Sequence, residues 1–156
     1  MTEEFPSDIK QICLWYVRGY DRMVRNYLKK REDVIYETPV AFAEYRDGGE
    51  TRRQYFGHSA GRVSDPVADK QERLEAIEEQ PETKRMRAVE QAQLSIGGDV
   101  QSEEVRQRLR QGILLNCKSG RKYPFEILNL SEFSQRDFYR RKDRFLQQIA
   151  QITGLI

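Results

Sequence analysis

FEILNLSEFSQRDFYRRKDRFLQQIA, residues 125–150, is the stretch whose reading decides the fold. It divides into three parts. Phe125, Ile127 and Leu128 form the apolar side of a short helix, Asn129 to Phe133 make a tight connection, and a longer helix starts at Ser134. A serine at a helix N-cap accepts a hydrogen bond from one of the N–H groups that the first turn leaves free. Asp137, three residues on, completes a capping-box-like pair. Phe138, Phe145, Ile149 and Ile152 then recur at seven-, four- and three-residue spacings, which is one face of a helix. Gln135, Arg136, Tyr139 and Arg140 project from another side in the first two turns. A short helix, a turn and a capped, one-sided basic helix predict a helix-turn-helix.

In that arrangement the second helix enters the major groove of duplex DNA N-terminus first, so its opening residues meet base edges. Arg136 suits guanine O6/N7 and Gln135 suits adenine N6/N7. Arg140, Arg141 and Arg144 are placed for phosphates, as are Arg121 and Lys122 in the loop RKYP just upstream. Many such turns carry glycine, whereas this one has Ser131 and Glu132, which predicts a longer or differently shaped turn. The competing reading is a solvated face, its arginines neutralised by i, i+3 and i+4 pairs with Asp137 and Asp143. Where those two acids go separates the alternatives.

Charge is unevenly spread along the 156 residues. Lys118 to Arg144 holds eight bases against four acids, and Asp65 to Glu90 holds eight acids against five bases, although the net charge is only +2. The basic end and the acidic middle therefore predict different roles.

Working outward, Ser102 to about Ser119 places Val105, Leu109, Ile113 and Cys117 on one helical face, with Gly120 as its C-terminal cap. Upstream, Asp65 before Pro66 is a good helix start, and Pro81 interrupts the pattern before Met86, Val89 and Ala92 resume it. The GGD at Gly97 to Asp99 ends that element. At the N-terminal end, a helix from about Asp8 to about Ile35 follows a cap at Ser7 or Asp8. Ile9, Tyr16, Tyr20, Met23 and Tyr27 share its stripe, Ile12, Cys13, Val24 and Leu28 widen it, and Trp15 and Val17 suggest a second buried face. Between Thr38 and Val63 the periodicity dissolves. DGG at Asp47 to Gly49 signals a turn that makes either a small hairpin or a basic, aromatic loop with Arg46, Arg52, Arg53, Tyr55 and Phe56. The single histidine, His58, reads as a surface residue of this stretch.

Several classes are excluded by what the sequence lacks. It has no phosphate-cradling glycine loop, no HExxH, no G-x-S-x-G and no His/Cys cluster, so no enzyme, cofactor or metal is expected. Cys13 and Cys117 read as reduced, packed thiols of a cytosolic protein rather than zinc ligands. The polar, acidic start MTEEFPSDIK does not look like a secretory signal, and no apolar run is long enough to span a membrane.

SQRDFYRRKDRFLQQIA resembles the recognition segment of sigma-factor region 4 and of related phage activators. WYVRGYDRMVRNY (Trp15–Tyr27), GRVSDPVADKQERLE (Gly61–Glu75) and LLNCKSGRKYP followed by that segment are similar, in order, to stretches of the RinA-type phage and prophage transcriptional regulators. The likeness covers about two thirds of the chain, and Val40 to His58 looks like an insertion. It implies an activator of late or packaging genes, acting at a promoter in the cytoplasm of a bacterial host.

The expected architecture is mainly α: an N-terminal helix at 1–37, a Gly-rich loop or small hairpin at 38–63, a polar helical segment at 64–98, and a helix-turn-helix DNA-binding domain at 99–156. The expected partner is promoter DNA. Tyr16, Tyr20 and Tyr27 are the candidate surface for a homo-oligomer or for host RNA polymerase. The alternatives are a packaging protein of the small-terminase type and a helical adaptor that binds only protein.

Overall fold

A computed structural model describes residues 5–36, 42–47, 50–55 and 66–156. The fold is mainly α. Helices α1 (Ser7–Arg18) and α2 (Tyr20–Tyr36) are followed by strands β1 (Phe42–Asp47) and β2 (Glu50–Tyr55). Then come α3 (Pro66–Glu78), α4 (Pro81–Leu94), α5 (Glu103–Ser119), two one-turn 3-10 helices (Gly120–Lys122 and Phe125–Ile127) and α6 (Gln135–Ile152). None of the described helices is long and apolar enough to cross a membrane.

The single N-terminal helix expected from periodicity is two helices, divided at Gly19. That residue sits at φ −85°, ψ 0°, and its N–H still reaches the Trp15 carbonyl at 2.9 Å. Glycine is the weakest helix former after proline, so the break falls where propensity is lowest. The segment with two open readings contains the hairpin: β1 and β2 pair antiparallel, with Phe42 opposite Tyr55 and Asp47 opposite Glu50. Its side chains, among them Arg46, Arg52, Arg53 and Tyr55, lie outside the described residues, as do Phe56, His58 and Asp65. Pro66 and Pro81 each open a helix, where proline's missing N–H costs nothing.

The chain folds as two compact units, Met1–Val24 with Lys84–Ile156, and Arg25–Thr83. Polar contacts join the described residues of the second unit. Asn26 Nδ2 donates to Glu82 at 3.0 Å, Lys30 Nζ to Gln80 at 2.7 Å, Lys70 Nζ to the Ile35 carbonyl at 3.0 Å, and the Tyr27 hydroxyl to Glu78. Val34 and Ile77 are its buried apolar side chains among the described residues.

Among the described residues, the first unit has the larger core. Cys13, Leu14 and Val17 of α1, Ala88, Val89 and Ala92 of α4, and Leu109, Ile113 and Cys117 of α5 pack with Phe138, Phe145, Leu146, Ile149 and Ala150 of α6. Each large side chain buried here contributes roughly 1.5–3 kcal/mol. Trp15, expected on a second buried face, is 66% exposed, while Val17 beside it is fully buried. Ile152, at the C-terminal end of the α6 stripe, is likewise exposed. Gly112 lies inside α5 where Leu130 crosses it: a Cβ at that position would sit 3.0 Å from the Leu130 side chain. The absent side chain lets the connection before α6 lie against α5.

Candidate nucleic-acid interface

The start of α6 is fixed by its own sequence. Ser134 adopts extended backbone, and its Oγ accepts the Asp137 N–H at 3.1 Å. Only half of the capping box forms, because the Asp137 carboxylate turns away and accepts from Arg141 Nε at 3.0 Å. The short helix expected upstream is a single 3-10 turn, Phe125–Ile127, with its N-cap at Pro124. After it, Asn129 takes φ 58°, a left-handed conformation that asparagine tolerates better than most residues. Asn129 thus makes the bend without a glycine. From α5, Arg108 holds this connection by an ion pair with Glu132 at 2.7 Å.

A second arginine clamp fixes the other side of α6. Arg141 Nη1 and Nη2 donate to the two Asp99 carboxylate oxygens at 2.8 and 2.7 Å, and its guanidinium lies 5.1 Å from the centre of the Phe133 ring. Those hydrogen bonds are the main reason the Asp99 carboxyl titrates at about 2. They also raise the Arg141 pKa further above its ordinary value. With a side chain only 15% exposed, Arg141 is committed to Asp99 and Asp137 rather than turned to a phosphate. Asp99 was legible only as the end of a helix, since nothing local in a sequence pairs residues 42 positions apart.

The other expected contact residues separate into two groups. Gln135, Arg136, Arg140 and Arg144 are exposed. The three arginines follow one another at i, i+4 and i+8, a row that advances about 6 Å per step along the helix. None of the three has a hydrogen bond or ion pair to another described residue. The two acids that could have neutralised the row are occupied, Asp137 by Arg141 and Asp143 by Lys10 at 2.8 Å. At the trailing end, Arg144 borders a small cleft of about 140 Å³ with Asp99, Arg141 and Phe145. Its charge acts on the Asp99 carboxylate, which Arg141 already holds.

Tyr139 departs from the expected outward position. It is half-buried, packs edge-on against Phe138 at 5.3 Å between ring centres, and carries the Lys142 ammonium 5.8 Å from its ring centre. Lys122 is exposed at the end of the first 3-10 turn, while the Arg121 side chain lies outside the described residues. The face therefore gathers Gln135, Arg136, Arg140 and Arg144 on one helix, with Ser134 and Arg141 setting its position. Among the described residues no three His, Cys, Asp or Glu side chains form a group that could hold a metal ion. No protein-family model, curated protein or solved structure matches the chain.

Proposed function

We propose that the chain is a sequence-specific, double-stranded-DNA-binding transcriptional regulator, of the activator kind that its resemblance to RinA-type phage regulators implies. The observation that carries this reading is the arginine row of α6. Three exposed guanidinium groups at successive turns have no counter-ion of their own, while both nearby acids are tied to other bases. A solvated helix face would place such charges in i, i+4 pairs, as Arg141 is with Asp137, whereas Arg136, Arg140 and Arg144 have none among the described residues. A row without ion pairs on a capped helix instead fits a polyanion of regular charge spacing. Gln135 and Arg136 stand at the leading end and take the base edges, whereas Arg140 and Arg144 take phosphates. Promoter DNA in the cytoplasm of a bacterial host is the setting that goes with this reading, and contact with RNA polymerase would make the protein an activator.

Binding selection from a randomised duplex library, followed by titration of the enriched sequence at several salt concentrations, tests the proposal. The expected result is one enriched motif bound with a steep salt dependence. No binding to any duplex, even at low salt where phosphate contacts are strongest, would overturn it.

A further inference from the structure

A second group of bases surrounds the C-terminal end of α5. Arg18, on α1, donates from Nε to the Cys117 carbonyl at 3.1 Å, and its guanidinium reaches the neighbourhood of Gly120. Lys122 stands exposed two residues further on. Its loop is tied back to α5 by the buried Asn116, whose Nδ2 donates to the Tyr123 carbonyl at 2.9 Å. Lys142, half-buried on the side of α6 toward α1 and α5, has no carboxylate partner among the described residues. Burial lowers its pKa first, and the like charges of Lys10 and Arg18 lower it further. The acids near this group are few. Asp143 is held by Lys10, and Asp21 lies 3.4 Å from Lys118. The opposite flank of α6 is different, because there Asp99 and Glu132 are each paired with an arginine.

We propose that Arg18, Lys122 and Lys142 form a second phosphate-binding surface, through which one backbone strand of the duplex read by α6 runs along the α1/α5 side of that helix. This rests on the DNA reading above and adds the path of the backbone, with α1 as a contacting element. Bases at a helix C-terminus also serve its unsatisfied carbonyls, as Arg18 does at Cys117. The charge there exceeds what one helix end requires, and the cluster repels itself where no anion is bound. A phosphate chain relieves that repulsion.

The test is the salt dependence of binding to a mixed-sequence duplex of about 20 base pairs, two helical turns. Removing one phosphate-neutralising side chain should reduce the log–log salt slope by about 0.9. Lys122→Gln, Arg18→Gln and Lys142→Met should each show that drop, and Arg18→Lys should restore the wild-type slope. Thermal melting reports folding separately, and the exposed Lys122→Gln keeps the test open if a buried variant fails to fold. An unchanged slope in Lys122→Gln and Arg18→Gln overturns the surface. So does an Arg18→Lys slope as low as that of Arg18→Gln, since only a carbonyl-capping role distinguishes arginine from lysine there. A wild-type protein that binds no duplex overturns the DNA reading itself, whereas binding with unchanged variant slopes overturns only the second surface.

Discussion

At the scale of single residues, neighbouring arginines on α6 do different work according to what surrounds them. Arg140 faces outward without a partner, and Arg141 is held by two carboxylates and a phenyl ring. Substituting Arg136 by alanine should therefore cost roughly 1–3 kcal/mol on the selected sequence and relax preference at one base pair. Arg144→Ala should weaken binding to all sequences and flatten the salt slope by about 1. Titration of both variants on specific and mixed duplexes checks the pair, and identical behaviour would refute the division between base and phosphate contacts. Asp99 gives a pH prediction. Its folded pKa is depressed from 3.8 to about 2, so the stabilisation it lends is present above pH 4 and is lost as pH falls through 2. Because Asp99 is exposed, solvent screening keeps the effect small. Melting of the wild type and of Asp99→Asn should differ at neutral pH and converge at the acid end of that window.

Helices α3 to α6 were largely legible from their start signals, whereas α1 starts after Pro6 with no side-chain cap, not at a cap on Ser7 or Asp8. Ser134 caps α6 as its position implied, accepting the N–H three residues on, and Pro66 opens α3; Ser102 caps α5 in the same way, and Pro81, read as an interruption, opens α4. Ser134→Ala should destabilise the protein by about 1 kcal/mol, measured by denaturant unfolding. The same substitution should weaken specific binding more than mixed-sequence binding, since fraying the first turn displaces Gln135 and Arg136. What the sequence could not convey was pairing over distance. The break at Gly19 passed as part of one stripe, because a helix that bends and a helix that stops give the same periodicity. Trp15 was assigned to a buried face on hydrophobicity alone, although the packing of α1 buries Cys13, Leu14 and Val17 instead. Arg141 read as one more phosphate contact for the same reason: its partner Asp99 belongs to a different segment.

For the molecule as a whole, the arrangement of the first unit makes its core a reporter of its own integrity. Cys13 and Cys117 are fully buried in the same cluster, and burial pushes both thiols up to about 11. A thiol reagent at pH 8 should label neither in the native state, and both should react at a single rate when the unit opens. Rapid labelling of one cysteine in the native protein would show that α1 detaches by itself. Gly112 has a consequence of another kind. Alanine there would improve helix propensity by roughly 1 kcal/mol, yet its methyl group would press on Leu130, which is buried and has little room to yield. The displacement would pass into the connection that sets where α6 begins. Gly112→Ala would thus turn a local gain in helix stability into an error of aim, leaving a protein that melts normally and misplaces its arginine row. The absence of one methyl group is part of how this helix is pointed.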